Sequence, residues 1–262
     1  MSRAHARAGS SPAVRTKSGR TPPAASSPPH EAIVKLLILS DIHANHDALR
    51  AVPEDYDELW VLGDLVNYGP EPAEAVAWVR ARASLVVQGN HDHAVAHDDD
   101  TTWSPRYRAL SEATRRYTSS VLSTADKAYL GSLPERAEAE REGTTFHLLH
   151  GTPADPLRGR WPADETAWAA LLAGIEADVL LCGHSHVPML KQVGGKVVLN
   201  PGSVGQPRNG RAGGSYAVWQ DGTFTLRAFE YPVEDTIGKI DALPLKLETR
   251  AELAAILRTG TV

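Results

Sequence analysis

The chain holds one cysteine, Cys182, in 262 residues, so no disulfide framework is available to it. Cys182 closes an apolar run that leads to Gly183, the setting of a packed thiol, and such usage fits a reducing cytoplasm. No apolar run approaches the roughly 18 residues that a membrane helix requires, which excludes a helical membrane protein. Internal repeats are also missing, so a solenoid is excluded. Acidic residues are absent from the first 30 positions, where Arg3, Arg7, Arg15, Lys17 and Arg20 lie among Ala, Ser and Pro. That stretch carries +5, and with the whole chain at −5 the remainder stands at −10, which argues against a nucleic-acid-binding surface on the body. Residues 1–31 are therefore expected to be a disordered basic tail, without the apolar core of a secretory signal, and residues 32–262 one domain.

Within that body, 42% hydrophobic residues can bury a large core. From Lys35 the chain alternates apolar β-branched runs with helical patterns: strand 35–39, helix 46–52, strand 58–62, helix 72–82 and strand 84–88. This is βαβαβ patterning, an α/β fold. Residues 97–131 interrupt it with a polar, helix-prone stretch, expected to form a small helical cap. Strands follow at 136–140 and 143–149, a helix at 164–175, a strand at 178–182, short strands through Tyr231 and a helix at 248–258 packed on the outside.

Five short segments end these runs in metal-ligand residue types. They are Asp41-Ile-His43, Gly63-Asp64, Gly89-Asn90-His91-Asp92, His150-Gly151 and Gly183-His184-Ser185-His186. In open α/β sheets ligands bind beyond the carboxyl ends of the strands, so the five should converge. Each alone has a bland alternative, since Asp caps helices and His is common in loops. Gly89-Asn90-His91-Asp92 places three polar side chains at one turn. Gly183-His184-Ser185-His186 is the strongest segment, because two imidazoles can face one site while the glycine lets the backbone approach closely. The combination decides. Carboxylate, imidazole and amide donors without thiolate suit two divalent transition-metal ions, manganese first, with Fe, Zn, Ni or Co also suited. Asp64 is placed to bridge them, as a carboxylate can contact two cations roughly 3.5–4 Å apart.

The order and wording of these blocks resemble the calcineurin-like metallophosphoesterase superfamily, over about Lys35 to Tyr231. Gly63 to Pro70 and Asn200 to Arg208 resemble its small bacterial and archaeal branch, mostly phosphodiesterases or phosphatases. The resemblance implies a four-layer α/β/β/α sandwich of two mixed sheets. It assigns Asp41, His43 and His186 to one metal, Asn90, His150 and His184 to the other, and Asp64 to both. It further implies His91 as general acid or stabiliser of the leaving group, with Asp92 orienting its imidazole, and in-line attack on phosphorus by a bridging hydroxide. Asn90 is expected near the substrate, and Arg208 either holds a phosphate oxygen or fixes its own loop.

Departures narrow the reading. Protein phosphatases and diadenosine tetraphosphatases of the superfamily carry an arginine after the acid of the Gly-Asp block, where this chain has Asn67-Tyr68. Ala44 stands where many relatives have glycine. The arginines of residues 106–116 either read extra phosphate charge or form a solvated helix face. The expected activity is hydrolysis of a small-molecule phosphodiester, with a phosphomonoesterase or nucleotide phosphatase as the alternative and a non-catalytic scaffold as a third class. The oligomeric state stays open.

Overall fold

A computed structural model describes residues 33–101 and 103–261; the basic tail expected at 1–31 lies outside them. In chain order the elements are β1 (Leu36–Leu39), α1 (His46–Arg50), β2 (Glu58–Val61), α2 (Pro72–Arg82), β3 (Leu85–Val86), α3 (Asn90–His97), α4 (Arg108–Val121) and α5 (Thr124–Ser132). They continue with β4 (Arg136–Arg141), β5 (Thr144–Leu149), α6 (Trp168–Leu171), β6 (Val179–Leu181), β7 (Met189–Val193), β8 (Lys196–Asn200), β9 (Gly214–Gln220), β10 (Thr223–Phe229), α7 (Val233–Asp241) and α8 (Leu247–Thr259).

Among the described residues ten strands form two mixed sheets of five, in the orders β10-β9-β1-β2-β3 and β4-β5-β6-β8-β7. In the first, β1, β2 and β3 run parallel out to the β3 edge, and β9 and β10 extend the sheet antiparallel on the other side of β1; in the second, β5, β6 and β8 run parallel at the centre, with β4 and β7 antiparallel at the edges. The strand alternation sets the layers. Leu36 and Ile38 of β1 face Phe146, Leu148, Val179 and Leu181 of the second sheet, with Trp60 and Trp219 completing this inner core. Leu37 and Leu39 point the other way, onto Ala48 and Leu49 of α1 and Ala75, Val76 and Val79 of α2. On the far side Leu180, Cys182 and Val198 meet Trp168 and Leu172 around α6. The result is the four-layer α/β/β/α sandwich, with apolar side chains on both faces of the central strands. Among the described residues no helix is long and apolar enough to cross a membrane.

Three elements differ from the sequence reading. The Gly-Asn-His-Asp segment is the first turn of a helix and no bare turn: Gly89 is its N-cap, and Asp92 reaches back to the Gly89 N–H. The helix expected at 164–175 is reduced to a 3₁₀ turn, Glu165–Ala167, which Asp164 caps through the Thr166 N–H, and the short α6, beyond which Gly174 turns the chain with φ +84°. Helix α7 was unread; Thr236, Ile237 and Ile240 bury one face of it, and α8 packs against it through Leu253, Ile256 and Leu257. Residues 97–131 contain α4 and α5, with α5 packed on α3.

Candidate metal centre

The carboxyl ends of the parallel strands meet at one place. Asp41 and His43 follow β1, Asp64 follows β2, Asn90 follows β3, His150 follows β5, and His184 and His186 follow β6. Asp41, His43, Asp64 and His150 are shut off from solvent, and Asn90 and His186 nearly so. Their donor atoms form two groups that share Asp64: one with Asp41, His43 and His186, the other with His150 and His184. Asn90 joins the second through its Oδ1, 3.0 Å from His184 Nδ1. All seven residues expected from the sequence thus lie together.

The backbone is bent to achieve this. Asp41, His43, Ala44, Asp64, Asn67, Tyr68, His184 and His186 all take positive φ, between 49° and 70°. Side chains other than glycine rarely tolerate that region, and each such residue costs of order 1 kcal/mol, repaid by the surrounding hydrogen bonds. Those bonds are present. Asp41 N–H donates to Gly63 O, His43 N–H to Asp64 O and Ala44 N–H to Leu65 O, which ties the two loops together. Gly89 and Gly183 are required by close approach, since a Cβ on Gly89 would collide with Asp64 and one on Gly183 with Ser40 Oγ.

Hydrogen bonds on the outer ring nitrogens fix the imidazoles. His43 Nδ1 donates to Val66 O (3.0 Å), His150 Nδ1 to Leu62 O (2.7 Å) and His186 Nδ1 to Gln206 O (2.5 Å). A carbonyl can only accept, so each ring turns Nε2 inward, the arrangement that orients metal-binding histidines. The inward atoms crowd one another: His43 Nε2 is 3.2 Å from His186 Nε2, His186 Nε2 is 3.2 Å from Asp41 Oδ1, and His150 Nε2 is 3.1 Å from Asp64 Oδ2. Asp41 Oδ1, Asp64 Oδ2 and His150 Nε2 have no hydrogen-bond partner although buried. Lone pairs packed this closely repel unless a proton or a cation stands among them. The donor set therefore fits divalent ions.

In the protein alone, protons partly take the place of cations in this cluster. Burial pushes the Asp41 carboxyl up to about 7 and His43 down to about 4, and holds His184 and His186 well below the usual imidazole range. Burial is the largest influence on Asp64 and opposes its ionisation, but the charges of His150, His91 and His43 and the His150 contact together outweigh it and hold the carboxyl well below its ordinary value. His150 is raised to about 9: burial lowers it, and Asp64 more than compensates.

The role expected for Asp92 is not the one the structure shows. Its carboxylate accepts from the backbone N–H of Asp64 (2.8 Å), Leu65 (2.8 Å) and Gly89 (3.0 Å), and so ties the Gly63–Leu65 loop to the start of α3. The imidazole of His91 is instead contacted by Asn67, whose Nδ2 lies 2.8 Å from Nδ1. With Asn67 donating, the proton of His91 stays on Nε2. Burial drives the His91 pKa down to about 3, so the ring is neutral. Trp103 stacks on one side of it at 4.8 Å and Tyr68 meets it at 4.7 Å.

A pocket of about 130 Å³ opens over the centre, lined by His91, Trp103, Tyr107, Arg158, Arg160 and Arg208 among others. Arg208 makes its contact within its own loop to a side chain and not to a backbone carbonyl: it donates to Gln206 Oε1 (2.7 Å) and lies 4.6 Å over the Tyr107 ring. Arg115 takes neither role considered for it, as it is buried between Asp98 and Asp100, and Asp100 in turn accepts from Trp103 Nε1 (2.8 Å). Arg108 and Arg116 pair with Glu112. Asn67, Trp103, Arg158 and Arg160 were missed by sequence reasoning; they lie in loops and outside any ligand spacing.

Comparison with known proteins points the same way. The family described as the calcineurin-like phosphoesterase superfamily domain matches residues 34–221. An uncharacterised protein of Methanocaldococcus jannaschii is 29% identical over 227 residues, 78% of this chain and 91% of its own. A probable metallophosphoesterase of Mycoplasma pneumoniae is 26% identical over 183 residues, 68% of this chain and 84% of its own. The crystal structure of a metallophosphoesterase from Sphaerobacter thermophilus superposes with a TM-score of 0.73 at 29% identity, covering 86% of this chain and 99% of the other. On its sequence, its two-sheet fold and its ligand-bearing strand ends, the chain belongs to the calcineurin-like phosphoesterase superfamily.

Proposed function

We propose that the protein is a two-metal phosphodiesterase acting on a small-molecule substrate in the cytoplasm, with manganese as the metal of first choice. The observation that carries this reading is the convergence of unpartnered, inward-turned donors around Asp64. Asp41, His43 and His186 would hold one ion and Asn90, His150 and His184 the other, with Asp64 contributing to both groups. Ions bound there supply Lewis acidity toward the phosphoryl oxygens and an activated water as nucleophile.

The chain's own residues do the rest. His91 offers its Nε2–H to the ester oxygen that leaves, while Asn67 occupies the opposite nitrogen. Because the ring is neutral, it stabilises developing negative charge by hydrogen bonding instead of acting as an imidazolium acid; nearby cations would depress its basicity further. Asp92 keeps the Asp64 loop in register. Trp103 and Tyr107 wall off water from the pocket, and Arg208, held by Gln206 and Tyr107, presents positive charge toward the phosphoryl group. The body's charge of −10 outside the tail supports a small substrate over a nucleic acid.

Hydrolysis of bis-p-nitrophenyl phosphate and of p-nitrophenyl phosphate, by metal-stripped protein resupplied singly with Mn²⁺, Ni²⁺, Co²⁺, Zn²⁺ or Mg²⁺, tests the proposal. A preference for the diester with a transition metal is expected. A preference for the monoester would move the substrate to sugar or nucleotide phosphates, and no turnover with any metal would overturn the enzymatic reading.

A further inference from the structure

A second cavity adjoins the metal centre; whereas Trp103 and Tyr107 of the 97–131 segment line the first, cap-side pocket, no residue of that segment lines this one. It measures about 460 Å³ and is lined by Trp161, Val187, Pro188, Met189 and Lys191, with Arg160 and His184 at its inner end. Those last two residues also line the pocket that contains His91. The centre thus lies at the junction of two spaces of unlike size and chemistry. The cap-side pocket, about 130 Å³ and edged by three arginines, has room for a phosphoryl group and a compact leaving group. The second falls in the size range of sites that hold a ring system, with a largely apolar wall and cations at its inner end and rim.

We infer that this second cavity is the binding subsite for the ester arm that the reaction retains, and that the arm is an aromatic group of nucleoside size. The inference rests on the phosphodiesterase reading and names its substrate class. His91 fixes the direction, because it lines the cap-side pocket and not the second cavity. The ester oxygen that leaves is therefore the one on the cap side. Water's oxygen bonds to phosphorus as the cap-side P–O bond breaks, the departing alcohol takes up one of water's protons, and the retained arm remains as a phosphomonoester. Trp161 stacks against Trp168 at 4.6 Å, so the aromatic wall is held from behind before any substrate arrives. Arg160 stands where the two spaces meet, within reach of a phosphoryl group shared between them.

The test uses three esters of one leaving group, p-nitrophenol: p-nitrophenyl phosphate with no second arm, methyl p-nitrophenyl phosphate with a small one, and p-nitrophenyl thymidine 5′-phosphate with a nucleoside. The metal-loaded enzyme should turn over the thymidine ester with kcat/KM at least about tenfold above the methyl ester. Val187→Trp, at an exposed rim position, narrows the cavity from its outer end, and metal content measured on the variant checks that the neighbouring ligands His184 and His186 are undisturbed; it should raise KM for the thymidine ester about tenfold and leave the methyl ester within twofold. Trp161→Leu should erase the same preference. Equal use of the two diesters by the wild type, or a Val187→Trp effect that is absent or the same for both, overturns the subsite. Absence of turnover on all three esters instead overturns the phosphoesterase reading beneath it.

Discussion

Replacing Asp92 by asparagine separates a loop-holding role from an imidazole-orienting one. Asp92 is fully buried and accepts three backbone N–H bonds, two at Oδ2 from Asp64 and Gly89 and one at Oδ1 from Leu65. Asparagine can keep the two bonds at Oδ2 by placing its carbonyl there, but its NH₂ then faces the Leu65 N–H. One bond to a charged group is lost and two buried donors confront each other. At roughly 1.5–3 kcal/mol for such a bond, the cost is about 3 kcal/mol, a fall in Tm of roughly 6–12 °C for a domain of this size. Burial and the Asp64 charge raise the Asp92 pKa to about 7, so melting is best followed at pH 8, where the carboxylate is ionised. Because the loop carries Asp64, metal affinity should weaken about 10–100-fold. The pH–rate profile of the residual activity should keep its shape, as Asp92 does not touch His91. A variant with wild-type Tm and metal content but a displaced profile would refute this reasoning and restore the orienting role.

Other perturbations follow from the same contacts. Asn67→Gly tolerates the φ of +70° and removes the amide beside His91; it should keep its metal content and lose roughly tenfold in kcat, the scale of one hydrogen bond, measured by steady-state kinetics with metal analysis. Arg115→Met should lower the free energy of urea unfolding by about 2–3 kcal/mol by stranding Asp100, and should raise KM through the loosened Trp103 wall. In the metal-free protein the imidazoles of His43, His91, His184 and His186 are held below their unfolded pKa, so stability falls as pH drops through about 6.5. Asp41 and Asp92, raised to about 7, and His150, raised to about 9, work in the opposite sense but are outnumbered, and urea midpoints at pH 6.5 and 5 should show the net loss. Chelation should leave the far-ultraviolet circular dichroism intact, because the apolar clusters between and outside the sheets contain no ligand residue.

The parts of the protein legible in its sequence are those with local signatures. Buried strands such as Leu36–Leu39 read as continuous apolar runs, and five of them end in ligand residue types, so the strands and the converging segments could be placed, while the two-sheet sandwich and the assignment of seven ligands followed from the family resemblance. What failed was decided by tertiary context. Gly-Asn-His-Asp has the composition of a turn, and only the Asp92 contacts to a distant loop show why it begins a helix. Helix α7 starts after Pro232 with its apolar face matched to α8, a pairing invisible without both helices in place. The helical pattern at 164–175 was cut short where Gly174 turns the chain. The positive φ of His43, Asp64 and His186 is imposed by bonds between loops, and residue type alone does not report it. Arg158 and Arg160 reach the pocket from a loop whose path no periodicity encodes.

The central claim is a centre built by Asp64 for two ions, and titration of metal-stripped protein with Mn²⁺ tests it most directly, with bound metal and diester hydrolysis measured on the same samples. The account predicts that activity rises to a plateau at two ions per chain, and that Asp64→Ala neither binds the pair nor turns over substrate. Full activity at one ion per chain, or an Asp64→Ala variant that retains two ions and wild-type turnover, would contradict it.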